Sequence, residues 1–113
     1  MITEDYVSFE TAKLLKEKGM DASCFNHYVQ KNNNDGTSEA VTVCTLQAAM
    51  KWLREAHNIH IDICSIWDIL HWLYQVFVIT PRTARNPYVD KILYTSYEQA
   101  VEAAILYTLK NLI

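Results

Sequence analysis

Hydrophobic positions recur along the chain in two rhythms, and the clearest change of rhythm falls between Thr45 and Cys64. Leu46, Ala49, Met50, Leu53 and Ala56 lie at helical spacing and share one face. From Asn58 the period becomes two: Ile59, Ile61 and Ile63 alternate with His60, Asp62 and Cys64. The pattern predicts an amphipathic helix from Thr45 to His57 or Asn58, running directly into a half-buried strand.

The same reasoning extends to both ends of the chain. Ser8 is placed to cap a first helix whose buried side is Phe9, Ala12 and Leu15, with Gly19 as its left-handed stop and Met20 folding back on Leu15. Ser23 to Gln30 alternates Phe25, His27 and Val29 against Cys24, Asn26 and Tyr28, and reads as a strand. Lys31 to Gly36 (KNNNDG) is a turn, and Glu39 to Val43 returns as the second strand of a hairpin; the competing reading is a loop with no return strand. Near the C-terminus, Ser96 and Gln99 form a capping box. Tyr97, Val101, Ala104, Ile105, Thr108 and Leu112 then share a helical face, from which Leu106 and Leu109 point away.

One stretch supports two readings. Ile66, Ile69, Leu70, Leu73 and Phe77 have helical spacing, whereas Trp72 to Thr80 has the aromatic and β-branched composition of a strand. We take Ser65–Leu70 as a connection, one helical turn at most, followed by a strand ending before Pro81. Pro81 to Asp90 holds both prolines and reads as a surface loop, with a brief extra strand at Lys91–Tyr94. The expected fold is α+β in the order α-β-β-α-β-β-α, a single domain over residues 1–113. Its strands form one antiparallel sheet, with helices packed mainly on one face.

Composition narrows the function classes. The chain has 113 residues, half of them apolar, enough for a core without disulfides or a structural metal. A net charge of −3 argues against a general nucleic-acid binder, which needs a basic surface. Cys24, Cys44 and Cys64 are widely spaced, without a CxxC pair, and suit reduced thiols in a cytoplasmic protein. The opening residues do not read as a signal peptide, and the longest uninterrupted aliphatic or aromatic run, Val76–Ile79, cannot span a bilayer.

Candidate chemistry is sparse. His60, Asp62 and Cys64 line one side of the central strand and carry ligand and nucleophile chemistry, but alternate strand residues stand about 7 Å apart. His57 and His60 straddle a helix–strand junction, and His27 and His71 stand alone. The sequence contains no HExxH pair, glycine-rich phosphate loop or GxSxG elbow. Glu98 and Glu102, one helical turn apart, look like a solvated face. No catalytic residue, cofactor or metal is implied. Arg82, Arg85 and Lys91 give the loop before the last helix a basic character, a possible anion or nucleic-acid contact beside upstream aromatic residues.

Three segments carry a resemblance: Val7–Glu10 with Ala12–Gly19, Thr45–Gln47 with Met50–Glu55, and Ser96–Ala100 with Asn111–Ile113. Together they resemble a group of short uncharacterised proteins encoded in gut-anaerobe genomes, often in phage-like or mobile regions. Members of the group tend to carry glycine-phenylalanine where Gly19-Met20 stands here. The resemblance implies a small intracellular domain of viral or mobile-element origin and assigns no residue a role. The expected function is a non-enzymatic interaction module, binding itself or a protein partner through Trp72, Tyr74, Leu106 and Leu109. The alternative is a nucleic-acid-binding accessory protein using Arg82, Arg85 and Lys91.

Overall fold

Local chemistry at each boundary sets where the elements begin and end. The computed structural model describes residues 5–65, 71–80, 84–89 (backbone only) and 93–113. Helix α1 spans Phe9–Glu17, and the Ser8 hydroxyl accepts the Thr11 N–H at 3.3 Å. Its stop is a Schellman motif at Gly19 (φ +99°): Gly19 N–H donates to Lys16 O at 3.2 Å and Met20 N–H to Leu15 O at 3.0 Å. The strand expected from Ser23 starts later. Asp21 accepts the Ser23 N–H at 2.9 Å and caps a 3-10 turn over Ala22–Cys24, so β1 covers His27–Asn32. It pairs antiparallel with β2, Ser38–Val43, from His27↔Val43 to Asn32↔Ser38. The asparagine-rich turn closes the hairpin, with Asn33 N–H donating to Thr37 O at 2.8 Å.

Helix α2 covers Leu46–His57, capped by the Thr45 hydroxyl, which accepts the Ala48 N–H at 3.0 Å. Asn58 takes the left-handed conformation (φ +56°) and turns the chain into β3, Ile59–Ser65. Strand β4 is Trp72–Ile79, paired with β3 from Ile59↔Val78 to Ser65↔Trp72. For this stretch strand composition prevails over helical spacing; residues 66–70 of the connection lie outside the described residues. The last helix, α3, covers Tyr97–Asn111. Ser96 accepts the Gln99 N–H at 3.2 Å, but the Gln99 side chain reaches back to Thr95, accepting its N–H at 3.2 Å and its O–H at 2.6 Å.

Two expectations are corrected. The first concerns the loop expected over Pro81–Asp90, which contains an edge strand, β5, Ala84–Val89. It pairs with β4 through Gln75↔Val89 and Val76↔Tyr88, then Val78↔Arg85 and Ile79↔Ala84. The shift between Val76 and Val78 sets Asn86 and Pro87 opposite the single residue Phe77. A bulge on an edge strand is a place where a residue without an N–H costs no ladder bond, so the proline does not preclude a strand. Of the extra strand expected at Lys91–Tyr94, Lys91 and Ile92 lie outside the described residues, and Tyr94 makes an isolated bridge to Trp72.

The second correction is to the single sheet: β1-β2 form one sheet and β3-β4-β5 another. The N-terminal segment extends the smaller sheet past the end of β1. Val7 N–H donates to Cys44 O and Leu46 N–H to Asp5 O, both at 3.0 Å, so Asp5–Val7 occupies the hydrogen-bonding positions just beyond β2. Alternation then sorts the larger sheet. Ile59, Ile61, Tyr74 and Val76 are buried under the helices, while His60, Asp62, Leu73, Gln75 and Phe77 lie on the other face. Leu15, Leu53 and Ile105 are fully buried, one from each helix, and join the isoleucines of β3 in one core. Each such side chain contributes about 1.5–3 kcal/mol by leaving water. No helix among the described residues is long and apolar enough to cross a membrane.

Candidate binding groove

The residues singled out from sequence do not assemble into one surface. Trp72 and Tyr74 share the parity of Ile61 and Ile63 through the register, which places them on the helix-covered face. Tyr74 is 3% exposed, its ring 6.2 Å from that of Tyr94 and 6.4 Å from that of Tyr107. Trp72 is half-buried, edge-on to Tyr97 at 5.7 Å. Leu109 is 1% exposed and belongs to the core. A helix packed against α1, α2 and the sheet at once buries a wide arc, here Ala100, Val101, Ala104, Ile105, Thr108 and Leu109. Of the four, only Leu106 is brought to a concave surface.

The basic set is not assembled either. Arg82 and Lys91 lie outside the described residues, and Arg85 sits on β5 opposite Val78. On the outer face of β3, the Cys64 thiol reaches Asp62 Oδ2 at 3.6 Å. Desolvation, followed by the Asp62 charge and this contact, pushes the thiol pKa up, away from a nucleophilic thiolate. The histidines have other neighbours: His27 stacks on Tyr6 at 3.9 Å, His57 meets Trp52, and His60 lies near Phe77. Among the described residues no three His, Cys, Asp or Glu side chains are placed to hold a metal ion.

Two depressions among the described residues bear on function. One of about 710 Å³ separates α1 from the hairpin and contains Lys13, Lys16 and Lys31. Most of its charge is answered locally. Lys31 lies 3.9 Å from Glu39, Glu10 pairs with Lys110 at 3.0 Å, and the Lys16 ammonium donates to Thr42 O at 3.1 Å while sitting over the Phe25 ring.

The other, of about 660 Å³, is bounded by the N-terminal segment, the first residue of α2, Tyr94 and the outer stripe of α3. Tyr6, Leu46, Tyr94, Ala103 and Leu106 give it an apolar lining. Its charged lining residues are Asp5, Glu98 and Glu102, with no lysine or arginine among them.

Glu102 gives this groove its chemistry. Helical spacing stacks Glu98, Glu102 and Leu106 on one stripe of α3, and packing of α3 on α1 carries Glu102 to the start of α1. One carboxylate oxygen, Oε1, accepts the Ser8 N–H at 3.0 Å and the Thr11 hydroxyl at 2.6 Å. This places a negative charge at the positive end of the α1 dipole. The second oxygen, Oε2, is buried and has no hydrogen-bond partner among the described residues. A buried carboxylate oxygen without a donor is costly.

From sequence Glu102 reads only as part of a solvated face with Glu98, and Thr11 carries no signal at all. A glutamate four residues from another reads as solvated, and nothing local signals that its partner lies 91 positions away. No family model, curated protein or solved structure matches the chain.

Proposed function

We propose that this chain is a small non-enzymatic protein-interaction module whose groove beside α3 takes a peptide segment bearing an apolar side chain next to a lysine or arginine. The observation that carries the reading is a groove apolar in its lining and purely acidic in its charged residues, beside Glu102, whose buried Oε2 has no hydrogen-bond partner among the described residues. The apolar lining supplies area to remove from water, and the carboxylates select a cationic neighbour. Leu106 retains the contact role expected from sequence, with Tyr6 and Tyr94 as rigid aromatic walls. The resemblance to proteins of phage-like regions suits a module that acts by occupying another protein.

Selection from a displayed library of short random peptides tests this, using the full chain as bait. Enriched sequences are expected to carry Lys or Arg within two positions of an aliphatic or aromatic residue. Their binding is expected to weaken about tenfold in the Glu98→Lys variant, the loss of one partly screened charge pair with a repulsion added. Enrichment of acidic peptides, or binding indifferent to both Glu98→Lys and Leu106→Ser, would refute the assignment.

A further inference from the structure

The depression between α1 and the hairpin runs along the outer margin of β2, and the bonds of the hairpin fix which backbone groups that margin presents. In an antiparallel pair, residues alternate between exchanging hydrogen bonds with their opposite number and directing their N–H and C=O away from it. Asn33 N–H donates to Thr37 O at 2.8 Å, so these two form a bonded pair. The register then makes Lys31↔Glu39, Val29↔Val41 and His27↔Val43 the bonded pairs of the ladder. The N–H and C=O groups of Ser38, Ala40 and Thr42 point away from β1. Two contacts agree with that phase. Lys16 Nζ reaches Thr42 O from α1 at 3.1 Å, and beyond β2 the residues of the same parity, Cys44 and Leu46, bond to Val7 and Asp5.

Asp5–Val7 therefore lies as a short strand on this margin, and the chain leaves it at Ser8 to begin α1. The positions farther along are open. Ser38, Glu39 and Ala40 are exposed, and among the described residues the outward groups of Ser38 and Ala40 have no hydrogen-bond partner. An accessible strand margin is a template for another strand. The charges around it indicate which one. Both acids of the depression are engaged, Glu10 with Lys110 at 3.0 Å and Glu39 with Lys31 at 3.9 Å. The hydrogen bonds of Lys16 go to neutral oxygens, Thr42 O and Oγ1, and leave its charge without a counterion. Lys13 has no hydrogen bond or ion pair among the described residues. Two uncompensated ammonium groups, one turn apart on α1, thus stand beside the open margin, with Phe9 and Val41 as apolar lining.

We infer that the margin of β2 at Ser38–Ala40 takes an extended acidic segment of another protein as an added strand, its carboxylates lying against Lys13 and Lys16. This surface is separate from the groove beside α3 and selects the opposite charge, so either assignment can fail alone. The probe is a labelled, end-blocked peptide alternating valine and glutamate, titrated with the full chain and followed by fluorescence anisotropy. It is expected to bind, and its valine–lysine counterpart is not. Lys13→Glu should weaken binding about fivefold, through loss of one exposed charge pair with a repulsion added. Ala40→Pro should weaken it about tenfold or more. That change deletes an N–H directed away from β1, so the hairpin keeps its own ladder, and circular dichroism checks that both variants are folded. Amide exchange supplies a readout that charge attraction alone would not move. In the free chain Glu39 and Val41 should exchange more slowly than Ser38 and Ala40, and the bound peptide should slow the latter two. No binding, equal binding of the lysine peptide, indifference to Lys13→Glu or Ala40→Pro, or unchanged exchange at Ser38 and Ala40 would each overturn the proposal. So would protection of those two amides by dimerisation in the absence of peptide, because a second copy would then be the occupant.

Discussion

Replacing Thr11 with valine, alone and in a Glu102→Ala background, probes the contact that ties α1 to α3. The two side chains have nearly the same shape, and Thr11 is fully buried, so the change removes a hydroxyl without opening a cavity. What is lost is the 2.6 Å hydrogen bond that Thr11 donates to the Glu102 carboxylate, together with the 3.1 Å bond that its hydroxyl accepts from Ser8 Oγ. Bonds to charged acceptors contribute about 1.5–3 kcal/mol. After the substitution Oε1 keeps only the Ser8 N–H, and Oε2 still has no partner among the described residues, so the carboxylate falls from two donors to one. Because Glu102 is only half-buried, water recovers part of the loss, and valine and threonine differ little in helix propensity. The expected destabilisation is about 2 kcal/mol, or about 8 °C in Tm at about 2.1 cal/mol/K per residue. Urea unfolding followed by circular dichroism measures it, with an unchanged m-value showing that the native state is intact. In a Glu102→Ala background the same substitution should cost less by at least about 1 kcal/mol. A loss below about 0.5 kcal/mol, or one equal in both backgrounds, would show that this bond does not hold the helices together.

Two further predictions concern the central helix and the thiols. Asn58 holds a left-handed conformation between α2 and β3; Asn58→Gly should be close to neutral, whereas Asn58→Ala should lose about 1 kcal/mol in the same urea assay. Equal losses for both would mean that the backbone conformation is not what selects asparagine. Burial, followed by the proximity of Cys24, raises the Cys44 thiol from 9.0 to about 11. A raised value means that the folded state holds its proton more tightly. The stabilisation is therefore fully present below about pH 9 and is lost as pH climbs to about 11. Comparing wild type with Cys44→Ala between pH 8 and 11 removes the common lysine and tyrosine contribution, since both chains share those groups. The wild-type curve should fall more steeply, and parallel curves would sink the argument.

Much of the fold was legible because the signals are local. Ser8, Thr45 and Ser96 each satisfy amides in their own first turn, and Gly19 stops α1 with bonds that span a few residues. The alternation of Ile59, Ile61 and Ile63 survives as the inner side of β3, with Ile59 and Ile61 buried and Ile63 partly so. Features set by distant partners were not legible. The contact of Asp5–Val7 with Cys44–Leu46 joins segments about 40 positions apart, and the burial of Tyr74 and Leu109 depends on helices packed over β4. Pro87 misled because a proline announces a loop unless a bulge is available to receive it. Glu102 was misjudged because its environment comes from residues near the opposite end of the chain.

The bulge at Asn86 and Pro87 in β5 has a consequence for assembly. At Phe77 two residues of β5 face one of β4, so the outer margin of the sheet offers an incoming strand an interrupted ladder, and edge-to-edge addition of another chain there is disfavoured.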